Sequence, residues 1–235
     1  MLLNIGLIAS LAVASVSAHG AIVKAMGTNN VAGTALGIDD SVSRRSAGRA
    51  AQADTSVIRD RDVTTGAAGP CGKTSLAGAL SMNEEIDKVA ARNNGQLPTV
   101  QAGGDLEMTV HKINEDGAGP FMCDFSTDGE TFKTMQVSRN VPGFLGLGLG
   151  RVQDFPLVVR IPADVTACSA GNSKDTCMVR CRNAAVAGPF GGCVPIKLEG
   201  ATTTPATVPA PDATEAAVVA KRFSNDDGDD QETDE

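Results

Sequence analysis

The sequence predicts an all-β sandwich, and three observations predict it. From Leu106 onward short apolar runs alternate with polar residues at period two. Gly- and Pro-rich turns separate those runs. Six cysteines, Cys71, Cys123, Cys168, Cys177, Cys181 and Cys193, follow an apolar leader. Short strands cut by turn signals bury one face each, which calls for a second sheet. An even cysteine count behind a secretory leader calls for about three disulfides, with the pairing left open. The rival use of the last four cysteines, a zinc site, lacks any CxxC pair.

Residues 1–18 read as a signal peptide. The apolar stretch with Leu2, Leu3, Ile5, Leu7, Ile8, Leu11 and Val13 is too short for a bilayer span and ends in small residues, with Val16 and Ala18 where a signal peptidase reads. Cleavage after Ala18 makes His19 the first mature residue. Residues 19–200 form the β-sandwich domain, 201–220 a Thr/Pro/Ala-rich linker suited to O-glycosylation, and 221–235 an acidic disordered tail. The net charge of −8 is concentrated in residues 201–235, where nine acidic residues face only Lys221 and Arg222. The body is nearly neutral, which argues against nucleic acid as a partner. No later stretch reads as a transmembrane segment, and the acidic end lacks the apolar tail of a lipid-anchor signal.

Within the body, GAIVKAM at 20–26 reads as a first strand carrying the mature terminus. Residues 27–70, rich in Gly, Ala, Ser, Thr and Asp with five arginines, read as long loops with a solvated, salt-bridged surface. Residues 81–94 give the one short helix, with Ser81 and Glu84 at capping-box spacing, a Glu84–Lys88 pair and Gly95 as the stop. In the next strand Leu106, Met108 and Val110 alternate with Glu107, Thr109 and His111, so His111 takes the face opposite the core. Asp128-Gly129 marks a hairpin between 121–126 and 130–137. Further strands fall at 155–161, 178–182 and 194–199. The run GFLGLGLG at 143–150 lacks the Lys-Ser/Thr of a phosphate loop and reads as an ordinary flexible loop, the alternative being an apolar loop that contacts a partner. Asp124 and Asp128 read as hairpin acids rather than a glycosidase pair.

The chemistry points to His19 and His111, the only two histidines. A terminal histidine offers a metal its free amine and a ring nitrogen. With a ring nitrogen from His111 it completes the nitrogen-rich set that copper(II) favours, a histidine brace. One copper ion is the expected cofactor. Phe190, in GPFGGC, is the residue available for the axial side, because the chain has no tyrosine. Tyrosine and tryptophan are both absent, so the rings that usually stack on sugars are missing.

Several long motifs occur in order: HGAIV at 19–23, LGIDD at 36–40, GPCGKT at 69–74, DLEMTVHKINEDGAGPFMCDF at 105–125, NVPGF at 140–144 and CMVRCRNAAVAGPFGGCVPI at 177–196. Through them residues 19–199 resemble the fungal Egh-like virulence factors, also called appressorium-associated MAS cell-surface proteins. That resemblance implies a secreted fungal protein at the cell surface or wall. More distantly, the chain resembles the lytic polysaccharide monooxygenases. That likeness implies an immunoglobulin-like β-sandwich in which His19 and His111 take the positions of the two copper-ligating histidines. The expected function is therefore a secreted, virulence-associated surface protein with a copper histidine brace that oxidises cell-wall polysaccharide. The alternative is a non-catalytic protein on the same fold that binds wall polymers, a host surface component or copper.

Overall fold

The computed structural model describes residues 20–150 and 152–200. The signal-peptide, linker and tail assignments, and His19 itself, lie outside the described residues. In chain order the strands are β1 (Gly20–Met26), β2 (Ala32–Gly33), β3 (Ser56–Val57), β4 (Lys73–Thr74), β5 (Gly78–Ala79), β6 (Thr99–Val100), β7 (Asp105–Lys112), β8 (Phe121–Ser126), β9 (Lys133–Thr134), β10 (Gln136–Arg139), β11 (Gln153–Arg160), β12 (Cys177–Asn183) and β13 (Phe190–Leu198). They form a five-stranded sheet in the order β10-β11-β7-β1-β2 and an eight-stranded sheet in the order β5-β4-β3-β13-β12-β8-β9, with β6 joining at β13. This is the expected all-β sandwich.

Alternation along the strands builds the core. Leu106, Met108 and Val110 of β7 and Leu157 and Val159 of β11 face inward and are fully buried. Across from them lie Phe121, Phe125, Val179, Val194 and Ile196 of the eight-stranded sheet. Each such side chain contributes roughly 1.5–3 kcal/mol of apolar burial. Only one of the described helices exceeds five residues: α2 (Met82–Ala91), which follows the single-turn α1 (Asp60–Thr64). It lays Ile86 and Val89 on a second apolar cluster with Leu36, Leu97 and Met178.

The helix is where predicted, but its end chemistry differs. The Ser81 side chain makes no cap hydrogen bond, so the capping box does not form. Lys88 pairs with Glu85 at 2.6 Å rather than with Glu84, because Glu85 is also drawn inward to accept the Gly37 N–H at 2.9 Å. Gly95 does take the left-handed conformation, at φ 81°, that ends the helix.

All six cysteines pair, as Cys71–Cys193, Cys123–Cys181 and Cys168–Cys177. The zinc reading is thereby excluded. Residues 27–70 hold more order than a solvated loop. Asp54, fully buried, accepts the Asp39 N–H at 2.9 Å and pairs with the Arg44 guanidinium. Arg44 is thus a tether for the segment and not merely a surface charge.

Short connections put one pole of the sandwich together. β7 ends there and β8 begins there, joined by a 3-10 turn at Glu115–Gly117. The start of β1 pairs with the end of β7, Gly20 opposite Lys112. Asn183, at the end of β12, donates through Nδ2 to the carbonyls of Asp116 and Ala118, at 2.7 and 2.9 Å. The described chain leaves the body at the other pole, beyond Leu198, which pairs with Val100. Among the described residues no helix is long and apolar enough to cross a membrane.

Candidate functional site

His111 is the penultimate residue of β7, flanked in register by Ala21 of β1 and Asp154 of β11. Its phase is the one the alternation predicts, opposite to Leu106, Met108 and Val110. Its exposure is not: the residue is only 6% exposed. At this pole outer-face positions are covered as well, and Lys112 and Ile113 are buried beside it.

The histidine ring is held by one polar contact. Nδ1 lies 2.6 Å from Asp154 Oδ1. A carboxylate only accepts, so Nδ1 carries the hydrogen, and in the neutral ring Nε2 keeps the lone pair. Nε2 is buried and has no hydrogen-bond partner among the described residues. Buried polar atoms are nearly always satisfied, so an orphan of this kind asks for a ligand. A histidine fixed at one nitrogen by a carboxylate, with the other free, is how metal-binding histidines are commonly oriented.

Topology explains how Asp154 reaches the ring. β10 pairs only with Val158–Arg160 of β11. The earlier half of β11 is therefore the sheet's edge, where Pro156 is tolerated although it lacks an N–H. Asp154 lies on that half, with its side chain 62% exposed, directly across from His111. Sequence reasoning missed it. An acid at the start of a strand is a common sight, and only the β7–β11 register pairs it with a histidine 43 residues away.

Lys112 places a second constraint on the pole. It is 2% exposed, and Nζ donates to the carbonyls of Gly148 and Leu149 at 3.2 and 2.9 Å. The histidine strand is thus tied to the Gly-rich loop. Gly20 abuts the 3-10 turn so closely that a Cβ there would lie 2.9 Å from the Gly117 oxygen. Only glycine lets the start of β1 lie against that turn. His19 is outside the described residues, one peptide bond before Gly20.

Phe190 opens β13, in the opposite sheet but at the same pole. It is fully buried in a small cluster with Val57 and Ala185, and its N–H donates to Asn183 Oδ1 at 3.0 Å. Asp124 and Asp128 are both spoken for. Asp124 pairs with Arg180 at 2.8 Å. Asp128 accepts from the backbone of Thr131 and Glu130 and from the Ser126 hydroxyl, which pull its carboxyl down to about 2. Asp128 is thus the hairpin-turn acid expected, while Asp124 lies within β8 and is tied to Arg180 of β12. Among the described residues no three His, Cys, Asp or Glu side chains converge as a metal-binding group. A brace would need only His111 from this set, with His19 supplying two nitrogens.

Beside the histidine strand, a cavity of about 430 Å³ is lined by Ala47, Ile113, Glu115, Asp116, Gly150 and Val152. Its lining includes Ile113, two residues along the chain from His111.

Comparison with known proteins gives a coherent result. The sequence model of a family described as "Egh16-like virulence factor" matches residues 17–191. The chain is 36% identical over 199 residues to the appressoria-specific virulence factor GAS1 of Pyricularia oryzae (strain 70-15), covering 82% of this chain and 77% of that protein. It is 30% identical over 290 aligned residues to the appressoria-specific virulence factor GAS2 of the same fungus, covering 97% and 98%.

Proposed function

Because the chain belongs to the Egh16-like virulence factor family of fungi, we propose that it is a secreted, virulence-associated protein of the cell surface that binds one copper ion through His19 and His111 and oxidises a cell-wall polysaccharide. The observation that carries this reading is the buried Nε2 of His111, unpartnered among the described residues while Asp154 fixes Nδ1. The donor set fits copper(II), which favours imidazole and amine nitrogen. Bound copper, with an external reductant and dioxygen or peroxide, supplies oxidising power toward a strong C–H bond.

The chain's own residues have separate tasks in this reading. His111 presents Nε2. Asp154 holds the ring orientation and the Nδ1 hydrogen. His19 contributes its amine and one ring nitrogen, and Gly20 lets the β1 start lie against the 3-10 turn. Phe190, fully buried with Val57 and Ala185 at the same pole, would be the ring available near the metal, since the sequence has no tyrosine to offer. Buried Lys112 holds the neighbouring loop against the histidine strand.

Copper(II) titration followed by electron paramagnetic resonance tests this directly. A chain beginning at His19 should bind one equivalent tightly with a nitrogen-rich tetragonal signal. A chain with one extra residue before His19, and the His111→Ala variant, should each lose it. Equal binding in all three would overturn the brace.

A second reading has its own observation. With no tyrosine and no tryptophan, the chain lacks the usual sugar-stacking rings, which favours a non-catalytic wall-binding or copper-handling role. Tight copper binding with no oxidised product on a broad polysaccharide panel, given reductant and peroxide, would select that reading.

A further inference from the structure

The 143–150 loop is the most apolar exposed surface among the described residues. Phe144, Leu145, Leu147 and Leu149 stand 74, 57, 51 and 89% exposed, and Val186 nearby is fully exposed. Burying none of these side chains leaves a projecting apolar knuckle, and such patches mark interaction sites. The loop is not loose at its base. Gly146 packs on Ala185, and Lys112 grips the Gly148 and Leu149 carbonyls.

We propose that this loop docks the candidate-site pole onto a phospholipid bilayer, with Phe144, Leu145, Leu147 and Leu149 entering the headgroup–acyl boundary. Three features favour a bilayer over a sugar polymer or a second copy. The prongs are aliphatic apart from one phenylalanine, which suits acyl chains and not sugar stacking. The knuckle also satisfies much of its own backbone. Phe144 and Leu147 exchange N–H···O bonds at 2.9 Å, Gly146 donates to Gly119 and Gly148 to Glu115. Insertion therefore does not strand those donors in a medium without water.

The third feature is charge on the flanks. Arg139 ends β10 just before the loop, and Arg45 and Arg49 bracket Ala47, which shares a cavity wall with Gly150. All three are exposed, with no carboxylate partner among the described residues. They are placed to meet lipid phosphates. Glu115, Asp116 and Asp154 also lie at this pole, so the attraction is local and the apolar prongs supply most of the affinity.

Vesicle co-sedimentation of the full chain as secreted tests the proposal, using phosphatidylcholine vesicles with and without phosphatidylglycerol. Partition is expected on both, several-fold stronger on the anionic ones. The Leu147→Asp/Leu149→Asp variant should lose about tenfold or more in partition with an unchanged thermal midpoint. Leu149→Ser, a change at an almost fully exposed side chain, gives a milder loss should the double variant fold poorly. Wild-type partition no greater than that of these variants overturns the proposal. So does a loop-dependent dimer in sedimentation velocity, or loop-dependent binding to insoluble polysaccharide without vesicle binding. Copper plays no part in this readout, so its failure and the failure of the brace are separate results.

Discussion

The two sheets are braced by different means. Every disulfide has its cysteines in or leading into the eight-stranded sheet: Cys71–Cys193 ties the loop before β4 to β13, Cys123–Cys181 joins facing positions of β8 and β12, and Cys168–Cys177 closes the turn into β12. Among the described residues the five-stranded sheet has none, yet it carries His111, Asp154 and Gly20. The covalent frame is on one layer and the candidate chemistry on the other. The site therefore depends on strand register and on apolar burial against the stapled layer.

The largest break in that comparison is loss of the longest staple. Cys71→Ala with Cys193→Ala frees a separation of 122 residues, which chain entropy puts at about 5 kcal/mol. Because Cys71 and Cys193 are buried with Leu36 and Met178, the pair also leaves a cavity. Equilibrium denaturation should show one cooperative transition moved to much lower denaturant. Two separated transitions would mean that the sheets stand independently.

Next comes Leu157→Ala, on the layer with no staple. Leu157 faces Met108 in register and is fully buried. Truncation there should cost about 3 kcal/mol, read as a lower midpoint with an unchanged slope. Disulfide pairing in the other sheet should survive it.

The sequence made the layers legible and their coupling not. Alternation at Leu106, Met108 and Val110 announces β7 and its inner face, and Asp128-Gly129 announces the β8–β9 turn, because both signals are local. His111 shows the boundary of such reasoning. Its phase is readable, but its burial comes from the crowding of β1, β11 and the 3-10 turn at one pole. Asp154 is further out of reach, since its meaning exists only in the β7–β11 register. Asp54 is similar: a composition that reads as solvated loop contains one carboxylate that folds the loop back on itself. The first strand residues 190–193 were missed because Gly191 and Gly192 look like turn residues. Here they permit close packing, with Gly192 against Ala35.

Asp154→Asn sharpens the comparison at intermediate size. The residue is mostly exposed on a sheet edge, so the thermal midpoint should barely move. An asparagine oxygen can still accept from Nδ1, but without the charge that holds the ring. Copper affinity should fall about 10–100-fold, measured by competition with a chelator. A large stability loss with unchanged affinity would make Asp154 a structural residue only.

The smallest effect belongs to the stapled sheet and titrates. Asp128 caps the β8–β9 turn, and the Thr131 and Glu130 N–H groups with the Ser126 hydroxyl hold its carboxyl at about 2, below the usual 3.8. A carboxyl depressed on folding stabilises the folded state above its unfolded value, and that stability disappears as pH falls through the folded one. Asp128→Ala should therefore cost about 1 kcal/mol near neutrality, the side chain being exposed and its interactions screened. The gap between variant and wild type should narrow between pH 4 and about 2. Chemical denaturation across that range reads it. Disulfides do not titrate there, so a gap that stays constant with pH would assign the cost to lost turn geometry, and a gap that closes would assign it to the carboxylate's hydrogen bonds.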